Sequence, residues 1–194
     1  MDWFRRVSGG ISLILLGALI SSASLGDQKR TVYRNDEFGI TLKVPQDALL
    51  CAQPTGEHDH GPSMLLGTDD LKGCGDLENR RSIWVFGSYN INDEAKSLGR
   101  FLRWLCSDEQ GRGCDTAPSG LRVTGLPSMA GEASHAGWID IIVGTKAGKP
   151  DPTFDPSVPS MNYTIQLHTE KQYLAEDLRV FRTVVRTIRI APQE

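Results

Sequence analysis

The sequence predicts an α+β fold: an antiparallel β-sheet with two main amphipathic helices packed on its faces. Three observations lead there. Short segments that alternate apolar and polar residues recur along the chain, as strands with one buried face require. Two longer stretches repeat apolar residues every three or four positions, the spacing of a helix face. The strand-like segments follow one another across turn residues and do not alternate one for one with helices, so hairpins are expected and βαβ units are not.

Residues 1–23 are set apart first, as a signal peptide. Arg5 and Arg6 precede the apolar run "ISLILLGALI", and small residues, "SSASLG", follow it. A run from Ile11 to Ile20 falls short of the roughly 20 residues that a membrane-crossing helix needs, so contact with a membrane is expected only in transit. Cleavage is expected after Ala23. The residues after the arginine pair, "VSGG", give little support to a twin-arginine route. Residues 24–194 are then one domain, long enough to bury roughly 70% of its unfolded surface.

Within that domain "FGITLKV" is a half-buried strand, with Phe38, Ile40, Leu42 and Val44 on one face and Pro45 as its stop. "TVYR" is its expected partner across the turn-like "NDE". "SIWVFGSY" is apolar on both faces, Ile83 and Val85 on one and Trp84 and Phe86 on the other, which suits a strand inside a sheet covered on both sides. The first helix is expected next, capped by Asn92 or Asp93 and carrying Ala95, Leu98, Leu102 and Leu105 at helical spacing, with Gly111 as its stop. Phe101 and Trp104 on it read as packing residues.

Strand patterns return at "LRVTGLP" and "GWIDIIVG". A polar loop containing Pro150, Pro152, Pro156 and Pro159 leads to the alternating "MNYTIQLHT", so the last two form a hairpin with an extended tip. The second helix places Leu174, Leu178, Phe181 and Val185 on one face, and Thr187, Ile188 and Ile190 revert to a short strand.

The opening "FGITLKVP", the middle "VTGLPS" before a hairpin, and the close "YTIQLH…FRTVVRTIR" resemble the PsbP-like family, which includes the extrinsic photosystem subunit and the Ran-binding Mog-type proteins. The resemblance implies a PsbP-like sandwich, an antiparallel sheet with helices on its faces. It carries no residue role to this chain. The segment from Cys51 to Cys74 and the Cys106 to Cys114 element depart from the family's simple pattern, and fold alone does not fix function.

Composition limits the function classes. The 194 residues are 39% hydrophobic and 23% charged, with a formal net charge of −3 and both signs interspersed. Nothing in that balance points to nucleic acid or an anionic membrane surface as partner. Four cysteines, Cys51, Cys74, Cys106 and Cys114, are an even number in a chain expected to be periplasmic or secreted, so disulfides are the default. Three pairings are possible; the neighbours in sequence, Cys51 with Cys74 and Cys106 with Cys114, are preferred. Chain entropy assigns the two loops about 3.4 and about 2.6 kcal/mol.

The densest group of metal-ligating types is Glu57, His58, Asp59 and His60, inside the Cys51 to Cys74 segment. His58 and His60 project to one side of an extended chain, and imidazole is the commonest transition-metal ligand. Pro54, Gly56, Gly61 and Pro62 bracket them, so a solvated loop is the leading reading and a weak divalent-metal site the second. A zinc set of both cysteines and both histidines fails on spacing, because zinc modules pair cysteines two to four residues apart.

No nucleophile elbow, phosphate loop, dinucleotide fingerprint or zincin motif is present, so no catalytic residue and no cofactor is expected. Ser134 and His135 are neighbours that a strand sends to opposite faces. His168, at the end of a predicted strand, reads as a surface or edge residue. "DPTFDP" lacks the ordered oxygen spacing of a calcium loop, and the sequon Asn162-Tyr163-Thr164 falls within a predicted strand, which argues against glycosylation. The expectation is therefore an exported binding module with a protein or cell-envelope partner, contacting it through the Cys51 to Cys74 loop and the Lys146 to Ser160 hairpin. An immunity-type inhibitor of a secreted toxin is one specific form of this, and a periplasmic divalent-metal-binding protein is the alternative.

Overall fold

A computed structural model describes residues 31–51, 60–67, 73–74, 79–90, 97–107, 113–150 and 159–191 of the chain. The expected signal peptide, residues 52–59 and the 151–158 hairpin tip lie outside the described residues. Among the described residues the fold is α+β, with two antiparallel sheets and two α-helices.

The smaller sheet joins β1 (Val32–Asn35), β2 (Ile40–Lys43) and β10 (Arg189–Ile190) in the order β1-β2-β10. Its first hairpin forms because Asn35 Oδ1 accepts the Phe38 amide at 2.8 Å, a local bond that asparagine commonly offers a turn. As expected, Phe38, Ile40, Leu42 and Val44 are all buried.

The larger sheet contains β3 (Ala48–Cys51), β4 (Ser63–Leu66), β5 (Ser82–Tyr89), β6 (Asp115–Thr116), β7 (Ser128–His135), β8 (Trp138–Pro150) and β9 (Pro159–Glu170). Their order is β3-β4-β5-β9-β8-β7-β6, and every pairing is antiparallel. The β8–β9 hairpin is its spine, with Ile141 opposite Leu167 and Val143 opposite Ile165. Alternation sends these four side chains to the face that meets β2 and α2 (Leu174–Thr187), where Phe181, Val184 and Val185 complete the main core.

The opposite face carries α1 (Leu98–Cys106), which lies over β7 and β8 and forms a smaller apolar cluster from Leu102, Cys106 and Ile142. Ser97 caps α1, its hydroxyl accepting the Arg100 amide at 3.2 Å. The helix thus starts later than the acidic pattern at Asn92 and Asp93 suggested; those two residues and Gly111 lie outside the described residues. Because α1 does not extend over β5, Trp84 is half-buried and Phe86 is 37% exposed, so that strand is covered on its second face only in part.

"LRVTGLP" is not a strand. Leu121 and Val123 are buried as its alternation implies, but the chain turns at Thr124 and Gly125, the latter at φ 82°, so the apolar pattern reports burial without pairing. The strand that follows it, β7, reads "SMAGEASH", a run without β-branched or aromatic residues that propensity does not mark.

The cysteines form the preferred pairs, Cys51 with Cys74 and Cys106 with Cys114, with Cα–Cα distances of 5.6 and 5.1 Å. Cys106 ends α1, and its cystine lies flat on β7 at Gly131, where an added Cβ would collide with Cys114 Sγ. No described helix is long and apolar enough to cross a membrane.

Candidate functional site

Of the residues expected to hold a metal, Glu57, His58 and Asp59 lie outside the described residues. His60 is half-buried at the margin of the sheet. Its ring stacks on Phe86 at 4.7 Å and approaches Phe38 at 5.2 Å, and its Nδ1 is hydrogen-bonded to the Gly87 carbonyl at 2.9 Å. The Gly87 amide in turn donates to the His60 carbonyl at 2.7 Å, so this residue extends the sheet alongside β5.

A different group converges at the far end of the α1 face. β7 turns into β8 through Ala136 and Gly137 alone, with φ of 46° and 90°, as in the two-residue turns that match strand twist. This tight reversal sets His135 opposite Trp138. Period two then brings Asp140 to the same face as Trp138, and the β8–β9 register places His168 opposite Asp140.

Asp140 is the centre of the group. Its Oδ1 accepts from Gln166 Nε2 at 2.9 Å and is hydrogen-bonded to His168 Nδ1 at 2.7 Å. Its Oδ2 lies 3.4 Å from His135 Nδ1. Asp140 and His168 are buried, 7% and 8% exposed, whereas the His135 side chain is 56% exposed and opens the group to solvent. The Trp138 indole stacks on the His168 ring at 4.3 Å and only 10° from parallel. On the other flank the register sets Ser82 opposite His168, and Ser82 Oγ accepts from Trp84 Nε1 at 2.8 Å.

The expectation that His168 is a surface or edge residue is therefore corrected. It sits on β9, between β5 and β8, and the indole of Trp138 covers it. His135, Asp140 and His168 each bring one potential ligand atom within 4.8 Å of the others. His135 and Asp140 flank one tight turn and His168 lies 28 residues beyond Asp140, so the two hairpin registers, and no known ligand spacing, bring the three together. Asn162 of the sequon is buried on the same face of the sheet, its amide held by Lys146 Nζ on one side and Asn90 Oδ1 on the other.

The architecture defines an antiparallel α+β module. A solved structure similar to it is the solution structure of cyanobacterial PsbP (CyanoP) from Synechocystis sp. PCC 6803. That alignment has a TM-score of 0.48 at 16% sequence identity and covers 90% of this chain and 100% of that one. No protein-family model matches the chain, and the search of curated proteins returns no match.

Proposed function

We propose that this protein is an exported, disulfide-braced module that acts by binding a protein or cell-envelope component outside the reducing cytosol. The observation that carries the reading is the cystine pair: all four cysteines are bonded, each to its neighbour in sequence, and none is free. Such bonds persist in oxidising compartments and are rare where glutathione and thioredoxin act. The leader expected at residues 1–23 supports the same route.

Binding as the mode of action is supported by the surface near the Cys51 to Cys74 loop. Where that loop rejoins the sheet at His60, Phe86 and Tyr89 are 37% and 50% exposed, and aromatic side chains of this kind are enriched at partner interfaces. An immunity-type inhibitor of a secreted toxin is a specific case. Shortening the Cys51 to Cys74 loop and the hairpin tip, each with the fold verified, is expected to abolish cross-linking to the envelope partner. Unchanged cross-linking by the doubly shortened protein rules the reading out.

A further inference from the structure

We propose that His135, Asp140 and His168 form a binding site for a divalent transition-metal ion, with zinc as the reference cation. The inference needs the fold but not export or a protein partner.

The first argument is charge. Asp140 is a buried carboxylate, and among the described residues its ion-pair partners are two histidines, with no lysine or arginine beside it. A buried carboxylate is costly unless its charge is offset. A divalent cation offsets it fully.

The second argument is convergence. One ligand atom each of His135, Asp140 and His168 lies within 4.8 Å of the others, with His168 Nδ1 2.7 Å from Asp140 Oδ1. The stacked Trp138 indole fixes the His168 ring in that position, as a ligand held to one geometry requires.

The third argument is geometry and ligand type. The 3.4 Å from His135 Nδ1 to Asp140 Oδ2 is close to the edge of a tetrahedron whose centre is about 2.1 Å from each corner, the usual zinc–ligand distance. Two imidazoles and one carboxylate favour zinc, copper(II) or nickel(II) over calcium or magnesium, which take all-oxygen shells. Three protein ligands leave a fourth position, which opens to solvent beside the exposed His135.

The test is calorimetric titration of zinc chloride into the chelator-treated, disulfide-bonded protein. One ion per chain is expected, with calcium and magnesium unable to compete. His135→Ala, at an exposed position beside a turn, leaves the fold intact and is expected to weaken binding more than ~100-fold. Gln166→Leu, which only removes a hydrogen bond to Asp140, is expected to weaken it by the ~10–100-fold typical of outer partners. His58→Ala is expected to have no effect. Absence of zinc, copper(II) and nickel(II) binding overturns the proposal, as does binding that survives His135→Ala or is lost with His58→Ala.

Discussion

Lys146 is the clearest case of a single residue set against its surroundings. Its chain runs beneath α1, its ammonium donates to Asn162 Oδ1 and lies 5.3 Å from the Phe101 ring centre, and burial pushes its pKa down to about 8. Tyr163, one residue further along β9, is pushed up to about 12 by burial and, secondarily, by Tyr89. Between about pH 8 and about pH 10 the unfolded chain keeps a lysine proton that the folded chain releases, so stability is expected to rise with pH. Above about pH 10 unfolded tyrosine ionises while Tyr163 does not, and the trend reverses. Lys146→Met is expected to flatten the rise and to be no less stable at neutral pH, read from urea midpoints across that range. Ala136 gives a second test. A non-glycine residue at φ 46° carries about 1–2 kcal/mol of left-handed strain, partly offset by the chain entropy that glycine adds. Ala136→Gly is expected to stabilise the fold by about 0.5 kcal/mol, measured by denaturation, with His135 undisturbed. At this scale the sequence concealed most of the site: His135, Asp140 and His168 follow no known metal-ligand spacing, whereas the consecutive histidines and carboxylates of residues 57–60 stand out.

The elements divide by how strongly their pattern departs from that of their neighbours. β2 with its flanks, the β8–β9 hairpin and α2 are legible because each segment carries four or more apolar residues at one period, in the first case Phe38, Ile40, Leu42 and Val44. β7 is not, because small and polar residues suffice for a strand lying beneath α1 and a cystine; Gly131 admits the sulfurs only because it lacks a Cβ. α2 hides one polar anchor in its apolar face. Asp177, 1% exposed in the first turn, binds Arg81 Nε at 2.8 Å, accepts from Arg81 Nη2, and accepts the Thr169 hydroxyl, which fastens the helix to β9. Removing one partner of a buried pair leaves the other charge uncompensated, so Asp177→Asn is expected to cost about 3 kcal/mol. Glu176 lies 3.7 Å from the same guanidinium but is 68% exposed, and Glu176→Gln is expected to cost less than about 0.5 kcal/mol. Equal losses at the two positions, measured by urea denaturation, contradict this assignment.

For the whole molecule, composition and hydrophobic period were enough to indicate an α+β chain with antiparallel pairing, and an even cysteine count indicated its cross-links. The division into two sheets was not legible, since β10 joins β2 through two residue pairs near opposite ends of the domain sequence. The cystines span 23 and 8 residues, and by chain entropy their loss removes about 6 kcal/mol, comparable to the roughly 5–15 kcal/mol that holds a typical domain together. The account therefore rests on where the sulfurs are oxidised. Intact-mass analysis of the protein taken from its own cells, with thiols blocked at lysis and then again after reduction, tests this most directly. The account predicts a mature chain lacking the leader that takes up no blocking group until it is reduced and then takes up four. A full-length chain in the cytosol whose four thiols are blocked at once contradicts it.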